Sequence, residues 1–523
     1  MEKTKYDNIP KEKFAFASVR DFAHDKKLST KPRSYMRDAF SRFCKNKGAI
    51  AGAIVIILLL LFAIFVPFFT QYTVSYTDSY YVRTLPKSKL FSGTSFWDGC
   101  SRQTNVGRQT FTYYYAMGQE TGHYAVKNQE YTVEGEGANA TYSYRLDSYH
   151  STGMIYINTM SAEMYQAIQT YQRETNRQVI YPNVNPEDRP QAMDAQNNAN
   201  YYYETTGTSR TQIVYDENGN VIPVYWYDVR ENIDDGYDSL RIEGDDGFVG
   251  EDGNTYYYVY ARRMSGGTYE CRVNYYEYYI FYHSYWLNDG ITEPYFLFGT
   301  TNTGQDILTC LASGARFSFL FSVSVAVVNL LVGAIYGAIE GYYGGKVDLI
   351  MERFSDILSA VPSMIVITLL KLHMGASSQA IVLFIAFFLT GWIGMASTTR
   401  MQFYRYKNQE YVLAARTLGA KDRRLIFKHI FPNAIGTLIT SCALVIPSMI
   451  YSETNLSYLG IINLSSGNLT SVGTLIAAGQ RFLSTAPHIA LFPSLFLALM
   501  MLSFNLFGNG LRDAFNPSLR GAE

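Results

Sequence analysis

The chain has 523 residues, 48% hydrophobic and 17% charged, with a formal net charge of −1 and a mean hydropathy of −0.07. Such an average describes a mixture of apolar segments and a polar domain. The charge is unevenly placed. Between Tyr72 and Phe298, 29 Asp+Glu stand against 16 Lys+Arg, a balance of −13 that leaves +12 for the remainder, and the same stretch holds 35 of the 45 tyrosines. That split argues for two compartments and against a nucleic-acid binder.

Residues 1–47 form a basic tail without an apolar run. Lys31, Arg33, Arg37, Arg42, Lys45 and Lys47 crowd its end, which the positive-inside rule places in the cytoplasm. Residues 48–70 are uncharged and rich in Ile, Leu and Phe, long enough to cross about 30 Å of hydrocarbon. A cleaved signal peptide is not expected: the basic region is too long and no small-x-small site follows. With the tail inside, residues 72–297 are extracellular.

This insert reads as a β-rich α+β domain. Asn218-Gly219 and Asp252-Gly253 mark hairpins. Tyr275 to Tyr285 reads as a further β-type run. Met160, Met164, Ile168 and Tyr171 recur at helical spacing and predict one helix. Cys100 and Cys271 are the only cysteines of the insert. An exported domain keeps a disulfide, and joining them would close a loop of about 170 residues, for about 5 kcal/mol by chain entropy; the alternative is two unpaired thiols. The triplets Tyr201–Tyr203 and Tyr256–Tyr258 and the run Tyr275–Tyr279 suit a docking face, or they fill a small core and decorate its surface. Asp234, Asp235, Asp238, Glu243, Asp245 and Asp246 offer oxygen ligands of the kind calcium takes. They lack the EF-hand pattern, so a solvated acidic turn is the plainer reading.

From Phe298 the apolar pattern returns. Spans are expected at about 317–339, 355–372 (kinked or loosened at Pro362), 377–398, 432–453 and 487–508, six in all with the first, and both termini inside. Between the fourth and fifth lies the charged stretch 400–431, on the basic tail's side. Thr437, Ser441, Ser448 and Ser452 share one face of the fifth span. They would line a polar path or let helices pack closely. Gly345-Lys346 is followed by Val347, so no phosphate-binding loop of the G-x-x-x-x-G-K-[ST] type is present. No His or Cys cluster suggests a metal.

Glu410 to Asn433, EYVLAARTLGAKDRRLIFKHIFPN, carries the most specific signal. Gly419 suits a helix-turn-helix bend, Asp422 is placed to cap the second helix, and Leu425, Ile426 and Ile430 are its buried positions. AAR-x-x-GA followed by HI-F-PN resembles the coupling loop of ABC importer permeases, in the oligopeptide/dipeptide branch. Leu413 stands where that family usually has an acid, and Phe431 where it usually has Leu. FGTTNTGQD from Phe298, with Gln305 in place of an Arg, also resembles the family. So do the turn at Gly341, Tyr342, Gly344, Gly345 and Asp348, the pattern Glu453–Leu456–Ser457–Leu459–Gly460, and the ending GLRDAFNPSLR. The resemblance covers roughly Lys45–Phe69 and Phe298–Arg520 and lapses over the insert.

The resemblance implies a type I ABC importer fold, an α-helical polytopic protein of the bacterial plasma membrane. It implies a non-catalytic permease subunit of a peptide importer, with residues 298–523 as its core. Glu410, Ala414, Ala415, Arg416, Gly419 and Ala420 would meet an ATPase. The implied partners are a second permease, two ATPase subunits that bind the ATP and magnesium, an extracellular peptide-binding lipoprotein and the lipid bilayer. This chain would hold no cofactor of its own. The competing reading is an ABC-linked sensor or cell-wall regulator whose insert binds an outside partner without moving cargo.

Overall fold

The uncharged run after Asn46 folds as helix α2 (Lys47–Phe69), preceded by the short amphipathic α1 (Tyr35–Phe43). Asn46 caps α2, its side chain accepting from the Ala49 amide at 3.1 Å. The computed structural model describes residues 35–91, 94–135, 139–185, 202, 204–206, 210–212, 214–215, 221–222, 225–231, 247–374, 379–464 and 470–515. Beyond the insert come α6 (Ile307–Tyr343), α7 (Gly345–Ser359), α8 (Ser363–Met374), α9 (Gln379–Tyr406), α10 (Glu410–Thr417), α11 (Asp422–Arg424), α12 (Phe431–Tyr458), α13 (Val472–Gln480) and α14 (His488–Phe515). Among the described residues, five helical runs are long and apolar enough to cross a membrane: α2, α6, α9, Asp422–Tyr458 and α14.

The span expected over 355–372 is broken at Pro362, the position of the expected kink or loosening. α7 and α8 meet at a bend of 68°. Pro362 lies at the break, where its missing N–H cannot continue α7. Its carbonyl accepts from the amides of Ile365 and Val366 and so starts α8. Counted as one bent element, the pair is also long and apolar enough for a span, which makes up to six among the described residues.

Small residues set the helix packing. α6 and α9 run side by side in the same direction, with Gly333 against Trp392 and Met395, Gly337 against Ala396, and Gly341 against Arg400 and Phe403. A Cβ at Gly337 would stand 2.1 Å from the Ala396 carbonyl oxygen, so the backbones touch as small-xxx-small helices do. α2 and α14 run antiparallel. A Cβ at Gly52 would meet the Ser503 carbonyl oxygen at 2.6 Å, and Phe62 packs on Phe496. Pro67 leaves the Ala63 carbonyl of α2 without its helical donor. The Arg316 Nε of α6 donates to it at 3.2 Å.

The insert is sheets, helices and tyrosine. One sheet orders β1 (Cys100–Gly107), β3 (Thr141–Asp147) and β2 (Val126–Glu134), all antiparallel, and is backed by α3 (Arg108–Thr121). A second is built from β4 (Met154–Met160), β14 (Tyr269–Asn274) and β13 (Ala261–Arg263), with β5 (Ile180–Tyr181) also on β14. A third orders β10 (Val229–Arg230), β12 (Thr255–Tyr258) and β11 (Phe248–Val249). The two-stranded pairs are β6 (Glu204–Thr206) with β7 (Arg210–Gln212), and β8 (Val214–Tyr215) with β9 (Val221–Ile222).

β11 and β12 form the hairpin expected at Asp252-Gly253, with Gly253 at φ +84°. Asn218-Gly219 lies outside the described residues, although β8 and β9 on either side of it pair antiparallel. The acidic cluster at 234–246, Tyr201 and Tyr203 also lie outside them. The expected helix is α4 (Ala162–Thr175), capped by Ser161, with Tyr165, Ile168 and Tyr171 buried.

Two expectations for the insert are corrected. Tyr275–Tyr285 is helical, forming α5 (Tyr275–Ile280) and a wider π-type turn over Phe281–Leu287. Asn274 caps it by accepting from the Glu277 amide, and Tyr275, Tyr279 and His283 fall on one buried face four residues apart. Cys100 and Cys271 are free thiols and do not pair. Cys100 opens β1 of the first sheet, whereas Cys271 sits inside β14 of the second, among the tyrosines of the insert's main core. Burial pushes the Cys100 thiol up to about 12.

That core also decides the role of several tyrosines. Tyr72, Tyr81, Tyr149, Tyr165, Tyr275 and Tyr279 are buried together with Phe281 and Phe296. The hydroxyls of Tyr72, Tyr275 and Tyr279 are paired, with Tyr76 and Asp78 as partners. Tyr275 donates to Asp78 at 2.6 Å, Tyr76 to Tyr279 at 3.1 Å, and Tyr279 to Tyr72, whose oxygen accepts from the Tyr295 amide. Burial lifts these hydroxyls above their ordinary value, so they stay neutral donors. Tyr275 and Tyr279 are therefore core residues and offer no docking face.

The insert is seated directly on the bundle. The Thr300 hydroxyl donates to the Tyr81 carbonyl at 2.6 Å and accepts from the Thr84 amide at 2.8 Å. Gln305 donates to the Val74 carbonyl at 2.8 Å. Gly304 has φ +74°, and a Cβ there would fall 1.8 Å from the Asp78 carbonyl oxygen.

Candidate functional site

The charged stretch lies at the end of the bundle away from the insert. α9 ends at Tyr406, and Lys407 ties that end to α6 by donating to the Gly341 carbonyl at 2.8 Å. α10 then begins at Glu410 and buries one side chain, Val412. The chain reverses at Gly419, whose φ of +81° belongs to the left-handed region. The amides of Gly419 and Ala420 donate to the carbonyls of Arg416 and Ala415, closing the end of α10 in the manner of a glycine C-cap. α11 follows and runs through a π-type turn (Leu425–Ile430) into α12.

Leu425, Ile426 and Ile430 are buried, as their positions predict. Asp422 does not cap: Lys421 holds the cap position without a side-chain bond. The Asp422 carboxylate accepts from the Tyr342 hydroxyl at 2.6 Å, and the Arg416 guanidinium lies over the Tyr342 ring. Tyr411 accepts from the Asn433 amide group at 3.2 Å. Partial burial raises its hydroxyl above the usual range.

Val412, Leu425, Ile426 and Ile430 pack with Ala338 and Tyr342 of α6 and Phe403 of α9 in one cluster. The expected contact residues divide accordingly. Glu410, Ala414, Arg416 and Gly419 are exposed, while Ala415 and Ala420 lean on the cluster. The outward side also presents Tyr411, Leu413 and Phe427, and Leu418 at 88% exposure. A knob of apolar side chains thus stands on a base shared by three membrane helices.

Beside it, Arg400 of α9 clasps the glycine turn. Its guanidinium bonds both oxygens of Asp348 at 2.6 and 2.9 Å and both of Glu352 at 2.8 and 3.1 Å. Glu340 lies 3.6 Å away, and Tyr404 donates to Asp348 at 2.7 Å. Gly344 and Gly345, at φ +65° and +57°, make the turn that brings Asp348 to Arg400. Sequence reading found the turn but missed Arg400, whose partners are 48 and 52 residues away. The GxxxGxxxG run at Gly333, Gly337 and Gly341 was legible and would have announced the α6–α9 contact.

Thr437, Ser441 and Ser452 are half-buried and Ser448 is exposed. Ser448 and Ser452 donate to carbonyls four residues back in α12, those of Leu444 and Ser448. At the insert end, a cleft of about 360 Å³ opens between the end of α12, α13 and the loop after it, with Asn302, Asn463, Gln480 and Arg481 on its walls. Among the described residues no group of three or more His, Cys, Asp or Glu is placed to hold a metal.

The family described as the binding-protein-dependent transport system inner membrane component matches residues 329–521, which hold α9, the reversal at Gly419 and α12. The oligopeptide transport permease OppC of Bacillus subtilis is 45% identical over 223 residues, covering 43% of this chain and 72% of the relative.

The chain belongs to this permease family.

Residues 34–86 match the N-terminal transmembrane domain of oligopeptide transport permease C. The permease is also 39% identical to OppC of Haemophilus influenzae, over 44% of this chain and 72% of that one. It is 39% identical to the dipeptide permease DppC of Bacillus subtilis, over 43% and 69%. A solved inward-facing MetNI methionine ABC transporter aligns with 39% of this permease and 96% of its own chain, at 13% identity and a TM-score of 0.31.

Proposed function

We propose that this permease carries peptides inward as one half of the translocation path of an ATP-driven importer, with α10 as its coupling helix. The relatives are named for oligopeptide and dipeptide transport, which supports peptide cargo. The observation that carries the coupling reading is the exposed side of α10, Leu413, Ala414 and Leu418, standing on a cluster shared by α6, α9 and α12. A push on α10 reaches three membrane helices at once, because packed side chains transmit displacement. Arg400 holds the end of α9 to α7, so these elements move together.

In this reading two ATPase subunits bind ATP and magnesium, and a second permease completes the path. A peptide-binding lipoprotein delivers cargo at the insert end. The α12 face of Thr437, Ser441, Ser448 and Ser452 meets the second permease or the path between the two. The tail, both termini and α10 are cytoplasmic, and the insert is extracellular. The regulator alternative is not favoured by relatives that are named as transport permeases.

Leu418→Asp tests the coupling contact without touching the core, since the side chain is exposed. The variant permease should insert and pair with its fellow permease, yet recover the ATPases poorly in a mild-detergent pull-down. Undiminished ATPase recovery together with unchanged peptide uptake in liposomes would remove α10 from the coupling role.

A further inference from the structure

The insert carries a second apolar projection, remote from α10. It stands on the ladder Lys87–Asp98, where Ser88 donates to the Trp97 carbonyl at 2.8 Å. Above that base a short 3-10 turn (Lys89–Phe91) puts Leu90 at 91% exposure, with Phe96 at 65% and Phe91 at 39%. The three aromatic rings pack on one another: Phe91 stacks on Trp97, and Phe96 meets both edge-on. The Thr94 hydroxyl donates to the carbonyls of Phe91 and Phe96. The projection is therefore built and held, and its apolar end has no cover among the described residues.

Its position names its partner. The Trp97 indole N–H donates to the Leu297 carbonyl at 2.5 Å, and its ring packs on Phe298 and Phe492. Phe492 belongs to α14, four residues past its first residue, His488, which is about 6 Å along the helix axis. Leu491, Leu495, Leu499 and Leu502 of α14 are all exposed, and on a membrane span such side chains face lipid. Phe68 and Phe69, at the neighbouring end of α2, are exposed as well. Trp97 thus lies beside the first turns of α14, which brings Leu90, Phe91 and Phe96 to the end of the bundle where the exposed apolar side chains of α2 and α14 begin. Trp and Tyr gather where hydrocarbon meets headgroups, because an apolar ring with a polar edge suits that boundary.

We propose that the apolar group of Leu90, Phe91 and Phe96, with Trp97 behind it, is an interfacial membrane anchor. It enters the headgroup and acyl boundary of the leaflet on the insert side. It fixes the tilt of the insert against the bilayer, so that the insert rides with α2 and α14 when the permease moves. Lys89 sits beside the anchor, ion-paired with Glu293 at 2.7 Å.

The test places a diazirine amino acid at Leu90 of the full-length permease, in its assembled complex in native membranes. Leu495 serves as the lipid-facing reference and the exposed Val249 of β11 as the water-facing one. After illumination, position 90 should give phospholipid adducts as position 495 does, and position 249 should give none. An adduct at 90 to another polypeptide overturns the proposal in favour of a docking contact, and a water adduct alone overturns it outright. As a second readout, Trp97→Phe should remove part of the quenching of tryptophan emission by lipids brominated near the headgroup. Quenching that is unchanged by the substitution counts against the anchor.

Discussion

In the bundle the closest contacts are backbone against backbone: α6 meets α9 at Gly333, Gly337 and Gly341, and α2 meets α14 at Gly52. In the insert they are side chain against side chain. Tyrosines fill the core and spend their hydroxyls on Asp78, on one another and on backbone groups. Arg272, fully buried, bonds Glu120 through both carboxylate oxygens, and Tyr202 and Tyr227 donate to the same carboxylate. Solvent explains the difference. Lipid gives helices no hydrophobic reason to associate, so close approach must come from small residues and dispersion. Water rewards burial of large rings, provided that each polar tip finds a partner.

The largest effect expected on the bundle is functional. Gly419→Pro demands φ near −65° where the chain holds +81°. The reversal must then re-form elsewhere, and ATP hydrolysis should run without peptide uptake in reconstituted liposomes. Preserved uptake would show that the bend is incidental. In the insert the largest effect is on stability. Arg272→Ala strands Glu120, and breaking one side of such a pair costs about 3–5 kcal/mol. Hydrogen exchange should accelerate across α3, β4 and β14 and leave α6 and α9 unchanged. Equal acceleration in both regions would make them one cooperative unit and erase the comparison.

A smaller effect is expected for Gly337→Ala. One methyl directed at the Ala396 carbonyl should cost about 1–3 kcal/mol as overpacking, read as a lower midpoint of thermal unfolding in nanodiscs. An unchanged midpoint would mean that the α6–α9 contact is looser than its geometry. The smallest concerns pH. Burial pulls the His150 imidazole down from 6.5 to about 4. The fold therefore favours the neutral ring. The stabilisation is full above pH 6.5 and is lost as pH falls from there toward 4. Exchange in the insert should quicken over that window, and His150→Phe should flatten the response. A response that survives the substitution would assign the titration to another group.

The two regions also differed in how much of them could be read from the chain. In the bundle, long uncharged runs announced α2, α6, α9, α12 and α14, because the bilayer dictates their length and composition. Glycine in a left-handed turn announced the reversal at Gly419. Pro362 announced a kink or a loosening, but not that α7 and α8 diverge by as much as 68°. In the insert, tyrosine misled. Tyr275–Tyr285 has β-type composition, yet it folds as a helix because Asn274 caps it and Tyr275, Tyr279 and His283 share a buried side. α3, with the run Tyr113–Tyr115 inside it, gave no helical signal for the same reason. Cys100 and Cys271 were matched by count and compartment, and neither consideration carries the information that they lie in different sheets.

The sequence by itself determined what each segment can be immersed in, where the apolar crossings run, and the reversal at Gly419 within the charged stretch. These are local properties, set by hydropathy over about 20 residues and by the dihedral freedom of single glycines. Only the tertiary structure decided which groups meet. It brought Arg400 to Asp348 and Glu352, Tyr342 to Asp422, Arg272 to Glu120, and Trp97 to Phe492. Such pairs join residues far apart in the chain, and no local pattern records them. Each exists because a buried or half-buried polar group, or a large ring, must find its complement wherever the packed helices and sheets have placed it.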